Sequence, residues 1–501
     1  MLLQRFKKDK EYEAKYKDFM STIIINGDAE LVEDHKDNAW YIPHFGVFHP
    51  KKPGKIRIVF DCAAKTDGKS LNDYLLAGPD MMNSLLGILM RFRQEKIALS
   101  CDIERMFHQF HVNKNDRDYL RFFWLSDNGE TVTYRMKVHL FGAKSSPACA
   151  TFGLRYLAEK IHGNEKAAKE FITNNFYVDD GLTSTLDVPT ATLLINQAMD
   201  LCKRGNIRLH KFVTNSPELL ATVPETERAD CSNVDLLDID SSIHRTLGIQ
   251  WNTSSDEFSY KLSITTKNLT RREILSTIAS IFDPLGLISS FIITGKIILQ
   301  QCCKRNLEWD EKLPTDLANR WIDWISTLEA LKSIDFPRCY KPREFENITK
   351  AELHSFSDAS NNAYGAAIYL RLTDANGNVT VTLVHAKARV APSNITSIPR
   401  LELQAAVLST LLTDFVRKEL TSYEISKVNY YTYSKIVLGY LNNDARRFQV
   451  FVANRAQKIR NYTKPSVGTM YRPSTILQIM HHVELRRTNL ITVLGNKDLH
   501  F

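Results

Sequence analysis

Two adjacent carboxylates, Asp179 and Asp180, close a run rich in β-branched and aromatic residues that extends from Ile172 to Val178. Gly181-Leu182-Thr183-Ser184-Thr185 follows as a second strand-like run. This pattern reads as a tight hairpin with both acids at its tip. Acids so placed repel each other unless a cation sits between them. A divalent metal pair handling nucleotide phosphates is one reason to build such a tip. A plain solvated turn is the other.

A second acid shifts the balance. Lys96-Ile97-Ala98-Leu99-Ser100-Cys101 is an apolar run that ends at Asp102, a buried strand with a carboxylate at its exit. Ile103, Met106, Phe107 and Phe110 then recur at helical spacing. A strand–Asp–helix unit beside a strand–Asp-Asp–strand hairpin brings Asp102, Asp179 and Asp180 toward two metal ions. The combination resembles motifs A and C of reverse transcriptases.

The flanking segments narrow the resemblance. They are Trp40-Tyr41-Ile42-Pro43-His44-Phe45-Gly46-Val47, Lys55-Ile56-Arg57-Ile58-Val59-Phe60-Asp61 and Ser70-Leu71-Asn72-Asp73-Tyr74-Leu75-Leu76-Ala77-Gly78-Pro79. Leu140-Phe141-Gly142-Ala143-Lys144-Ser145-Ser146-Pro147 and Ser280-Ile281-Phe282-Asp283-Pro284-Leu285-Gly286-Leu287 follow. In this order they resemble the polymerase of a BEL/Pao-type LTR retrotransposon over roughly residues 5 to 465.

The resemblance implies an α+β right-hand polymerase followed by an α/β ribonuclease H-like domain. Residues 1–34 would be a charged N-terminal helix, 35–252 fingers and palm, and 253–345 a helical thumb and connection. Residues 346–465 would be the ribonuclease H-like domain and 466–501 a divergent tail. It also implies an RNA template, a DNA primer, deoxynucleoside triphosphates and Mg²⁺ or Mn²⁺, in the cytoplasm or in virus-like particles. The net charge of +8 is compatible with a polyanionic partner. The eight cysteines show no Cys-x-x-Cys pair and read as reduced thiols. No signal-peptide core stands at the N-terminus, and the most apolar stretch, Ile281 to Gln300, is interrupted by Asp283, Pro284 and Lys296.

By the resemblance, Asp102 and Asp179 bridge both metal ions, and Asp180 binds one or holds the assembly electrostatically. Phe107 is the steric gate against a ribose 2′-hydroxyl; the alternative is a core Phe. Lys55 and Arg57 alternate with Ile56, Ile58 and Phe60, which puts the two cations on one strand face. Such a face suits a triphosphate, or is a solvated basic strand edge; the resemblance implies Arg57 rather than Lys55 as the phosphate-binding cation. Gly142 permits close backbone approach beneath the nucleotide, and Lys211 falls near the pyrophosphate. Gly248 and Trp251, in Leu247-Gly248-Ile249-Gln250-Trp251, resemble a primer grip, with Trp251 as core the alternative.

The second catalytic set is broken. Ribonuclease H chemistry needs four carboxylates, and Asp358 and Glu402 match the first two. In Tyr430-Tyr431-Thr432-Tyr433-Ser434 a phenol, Tyr433, stands in the third acid's place, and a neutral phenol is a poor ligand for a hard cation. Asp414 and Asp444 lie in the wrong local context. No fourth acid follows Tyr471-Arg472-Pro473-Ser474, and Gln478 to Phe501 is an unrelated tail. No protease or integrase motif flanks the polymerase segments, so the expectation is a piece of a larger polyprotein or a non-catalytic relic of one. A cofactor-dependent group-transfer enzyme lacks its loop: there is no Gly-x-Gly-x-x-Gly or Walker-type sequence.

Overall fold

In a computed structural model the chain is described except at residues 1, 35–37, 49–53, 55, 127, 161–164, 230–242, 261, 263–267, 346, 395, 444–446, 464–467 and 472–501. The N-terminal segment is two helices, Leu2–Lys8 and Lys10–Ile25, followed by a strand, Ala29–Val32. The expected single charged helix is broken because Asp9 caps the second helix, accepting from the Tyr12 amide at 2.9 Å. Tyr12, Tyr16, Met20 and Ile23 recur at helical spacing and are buried, while the Lys10, Lys15 and Lys17 ion pairs line the outer face. The buried stripe packs on Phe6, Ile58, Phe60, Phe122 and Trp124. Phe6 comes from the first helix; the others belong to the His44–Phe48/Ile56–Phe60 hairpin and to a three-stranded antiparallel sheet of Ala29–Val32, Thr131–Met136 and Arg121–Leu125.

The central sheet is antiparallel, in the order Phe176–Tyr177, Asp180–Thr185, Ile97–Ile103, Leu209–Thr214. Leu99, Cys101 and Ile103 face the helices Ser146–Lys160, Lys166–Asn174 and Val188–Arg204, within one apolar cluster. Ala98 faces a different cluster on the other side. The strand is therefore covered on both faces, which is why it reads as an unbroken apolar run.

A second sheet joins Ile243–Thr246, Ile249–Asn252, Glu257–Ser259 and Phe336–Pro337. The helices Arg271–Ser280, Ser289–Lys304 and Thr315–Leu331 lie between its last two strands in sequence and pack around Trp321 and Trp324. The C-terminal sheet runs Val379–Val390, Ala363–Asp374, Ile348–Ala359, Ile425–Thr432, Gly468–Tyr471. Its first three strands are antiparallel neighbours, and the last two are added in parallel. The helix Ile398–Glu419 crosses it. The strand Gly468–Tyr471 carries this unit past residue 465, into what the sequence assigns to a divergent tail. It lies in parallel register beside Ile425–Thr432, from Val428 opposite Gly468 to Tyr431 opposite Tyr471.

One apolar cluster runs through the molecule. It joins Ile88, Leu89, Met90 and Phe92 with Ala98 and Leu182 of the central sheet, Trp251 and Phe258 of the second, and Leu353, Ile368, Leu370 and Val428 of the C-terminal one. Among the described residues no helix is long and apolar enough to cross a membrane.

Candidate active site

Antiparallel register sets Asp102 directly opposite Asp180, and Tyr177 opposite Asp180 on the other side. Val178 and Asp179 form the two-residue turn, with Asp180 opening the return strand. Val178 has φ +57°, a left-handed conformation that is costly for a β-branched residue. The turn is held because the Ile103 amide donates to the Asp179 carbonyl at 2.9 Å. The exit of one strand and the tip of a hairpin thus bring the three acids together.

Their electrostatics show a cluster of negative charge that Lys211 and Arg57 offset only in part. Burial raises the Asp180 carboxyl, and the Asp179 and Asp102 charges add to it, to about 6. Burial also raises Asp179, with Asp102 contributing, while Lys211 and Arg57 pull it back. Burial pushes Asp102 up too, but His210 and Lys211 outweigh it and hold it below the usual range. The Lys211 ammonium clasps Asp102 Oδ2; His210 Nε2, at 3.7 Å from Oδ1, is too far to hydrogen-bond. Among the described residues no three His, Cys, Asp or Glu side chains close into a metal-ligating cluster. The donor set nevertheless suits a hard divalent cation: three carboxylates, two of them raised by burial and by each other's charge.

Lys211 owes its aim to a bulge. Ser100 pairs with Val213 and Asp102 with His210, so the partner strand holds one extra residue there. Lys211 sits in that bulge at φ +53°. A bulge re-aims a side chain, and here it turns an ammonium onto the acids.

The other candidate residues divide. Arg57 lies on the Ile56–Phe60 strand with its guanidinium 5.5 Å from the Phe141 ring. Phe141 in turn meets Phe107 edge-on at 5.6 Å. Arg57, Phe141 and Phe107 thus form one line of ring contacts, and the Arg57 charge acts on Asp179. Lys55 lies outside the described residues. Phe107 is not on the expected α-helix: only a short 3₁₀ turn, Met106–Gln109, follows Asp102, because Arg105 adopts φ +50°. That turn buries Met106 and leaves Phe107 half-exposed.

Gly142 has φ +104°, and a Cβ there would stand 3.3 Å from the Phe60 carbonyl. Asn72 pins its loop, donating to the Gly142 carbonyl at 3.1 Å and accepting from the Lys144 amide at 2.8 Å. Asn72, Phe141 and His210 are site neighbours that the sequence alone does not single out. Each becomes visible only through a contact distant in sequence.

Gly248 sits in the turn between paired strands at φ +86°, beside Leu247 at φ +49°. Trp251 corrects an expectation. It is fully buried, edge-on to Phe92 at 5.0 Å, and its Nε1 donates to Asp256 at 3.0 Å. It anchors the hairpin and cannot touch a primer.

In the C-terminal unit Asp358 ends the Ile348–Ala359 strand, one residue past the pair Ser357 and Thr432. Burial raises its carboxyl. Glu402, on the crossing helix, accepts a hydrogen bond from Ser434 Oγ at 2.6 Å. Tyr433 follows Thr432 at the level of Asp358 and is half-exposed. Asp414 lies three turns further along the helix, ion-paired to Lys418 at 2.7 Å. Asp444 lies outside the described residues.

Residues 270–434 match the family model for the Pao retrotransposon-like RNaseH-like domain. Three solved structures of a foamy viral protease–reverse transcriptase share the fold at 15% identity. One, with double-stranded DNA, has a TM-score of 0.59 and is covered over 93% of this chain and 70% of that one. A complex with an RNA/DNA hybrid gives 0.55, with 92% and 54% covered, so this chain spans about half of it. A third, with double-stranded DNA, gives 0.53, with 93% and 83%. No curated protein matches by sequence.

Proposed function

We propose, for a chain kin to BEL/Pao-type retroelement polymerases, that it is an RNA-directed DNA polymerase built as fingers, palm and thumb, with a ribonuclease H-like domain that does not cut. The observation that carries this is the register that sets Asp102 opposite Asp180, with Asp179 in the adjoining turn. Asp102, Asp179 and Asp180 would hold Mg²⁺ or Mn²⁺. Bound there, the cations would lower the pKa of an attacking 3′-hydroxyl and neutralise a leaving pyrophosphate. Arg57 offers a fork for the triphosphate of a deoxynucleotide. Lys211, held on Asp102, offers a positive charge beside the same carboxylates. The foamy viral relatives are seen with duplex DNA and with an RNA/DNA hybrid, which supports an RNA template and a DNA primer as this chain's partners.

The test is extension of a DNA primer on an RNA template by purified protein. Phe107 supplies a finer one. Its ring is half-exposed beside Phe141, where it would exclude a 2′-hydroxyl. Phe107→Ala is expected to improve ribonucleotide incorporation relative to deoxynucleotide by about 10- to 100-fold, the scale of relieving one steric contact. Competitive incorporation measures it, and unchanged sugar discrimination would return Phe107 to a packing role.

The second site supports binding without cleavage. Asp358 and Glu402 alone give at most one weak cation site, and Tyr433 leaves the bridged pair incomplete. Little or no cutting of the RNA strand of an RNA–DNA hybrid is expected. Robust cleavage abolished by Asp358→Asn would mean that another carboxylate completes the set. The same incomplete site favours the second reading, a non-catalytic relic that keeps nucleic-acid binding, and primer extension separates the two.

A further inference from the structure

The segment just before the catalytic strand is gripped from the far end of the chain. Glu419 ends the helix Ile398–Glu419, and its carboxylate lies against Gly87. A Cβ at Gly87 would stand 2.7 Å from that carboxylate, so a larger residue there would push it aside. There Glu419 ion-pairs with Arg91 in a largely buried contact. The same guanidinium donates to the Asn174 carbonyl at 2.5 Å and to Asn175 Oδ1 at 3.3 Å. Asn175 in turn exchanges hydrogen bonds with Leu182: its carbonyl accepts from the Leu182 amide at 3.0 Å, and its Nδ2 donates to the Leu182 carbonyl at 2.8 Å. Asn174 and Asn175 lead into the strand that ends at the Asp179 turn, and Leu182 follows Asp180.

Gln94 makes a second clasp. Its side chain donates to the Glu419 carbonyl at 3.1 Å and accepts from the Ser422 amide at 2.6 Å. Its own carbonyl accepts from the Tyr423 hydroxyl at 2.5 Å. Three residues later the Ile97–Ile103 strand begins, with Asp102 near its end. Both carbon frameworks that carry the acids are thus keyed to one corner, Glu419–Tyr423. Leu420 and Tyr423 of that corner are buried in the cluster shared with the central sheet.

We propose that this corner of the ribonuclease H-like domain is a positioning element for the polymerase acids. Glu419, through Arg91, and the Ser422–Tyr423 backbone and hydroxyl, through Gln94, fix the separation of the Asp102 strand from the Asp179–Asp180 hairpin. The domain then has a use that survives the loss of its nuclease carboxylates. The inference rests on the polymerase reading for its catalytic consequence, and on packing alone for its mechanical one.

Two measurements on the full chain test it, using Glu419→Ala, the milder Glu419→Gln, and Lys418→Ala on the exposed face as control. In pre-steady-state primer extension, Glu419→Ala should keep its burst amplitude and its KM for deoxynucleotide. Its burst rate should fall on the order of 10- to 100-fold, the scale of a small misplacement of reacting groups. Glu419→Gln should fall between it and wild type. In hydrogen exchange, the amides of Ile103 and Leu182 should exchange faster in Glu419→Ala, while those of Arg121–Leu125 stay as in wild type. An unchanged burst rate overturns the proposal, as does exchange that rises evenly over the chain, the mark of general loosening. A wild-type chain with no burst defeats the polymerase reading instead, and the exchange pattern still decides the positioning role. Should the alanine variant not fold, the glutamine variant carries both measurements.

Discussion

Asp179→Asn is expected to reduce primer extension by about 10³-fold or more, the scale of removing a group that stabilises charge in the transition state. The substitution keeps shape. The turn is held by the Asp179 carbonyl, which accepts from Ile103, and a side-chain amide leaves that bond untouched. What goes is one negative charge among three acids. Burial and the Asp179 and Asp102 charges raise Asp180 to about 6. Without the Asp179 charge, Asp180 should ionise at lower pH, so an intact and ionised neighbour cannot explain the loss. Asp102→Asn should lose as much, since it also releases Lys211 from its partner. Single-turnover extension on an RNA template, with Mg²⁺ and then Mn²⁺, measures both. Full activity in both variants would sink the assignment of these acids.

What the sequence discloses about this site is what depends on local pattern. The apolar run from Ile97 to Cys101 announces a strand covered on both faces, and Tyr177 to Thr185 announces a hairpin. Asp102 and the Asp179–Asp180 pair are therefore legible as strand ends. Their register against each other is not local, and neither is the bulge that turns Lys211 onto Asp102. The short 3₁₀ turn after Asp102 defeats the helical spacing of Met106, Phe107 and Phe110, because three apolar residues fit either geometry when the backbone reverses at Arg105. Trp251 reads either as part of a primer grip or as core, and local pattern does not choose between them. Its burial comes from Phe92 and Asp256, the first of them over a hundred residues earlier in the chain. The strand–Tyr-Ser–helix unit around Tyr433 is legible because its pattern is local: the strand ends at Thr432 and Ser434 caps the helix Lys435–Leu441.

Arg338→Met is expected to destabilise the chain by about 3–5 kcal/mol, the range for breaking a buried ion pair from one side. Arg338 is fully buried and lies between three parts of the chain. Its Nε and Nη2 reach the Asp256 carboxylate at 2.6 and 2.8 Å, a bidentate pair. Nη1 donates to the Phe92 carbonyl at 2.5 Å, and Nη2 to the Glu95 and Lys96 carbonyls, each at 2.9 Å. Burial alone would lower its pKa, but Asp256 more than offsets this and holds the guanidinium charged. Methionine fills similar volume yet leaves Asp256, among the described residues, with Trp251 Nε1 as its one side-chain donor, at 3.0 Å, and leaves three carbonyls without that donor. An uncompensated buried carboxylate dominates the loss. If that is the cause, removing the acid as well should recover most of the stability, so Arg338→Met with Asp256→Leu should unfold later than Arg338→Met alone. Midpoints of urea unfolding for the two variants and the wild type decide this. A single variant within about 1 kcal/mol of wild type would mean that water reaches Asp256 and that the pair is worth no more than a surface one. A double variant no better than the single would place the loss in the carbonyls of residues 92, 95 and 96, the stretch that leads into the Ile97–Ile103 strand.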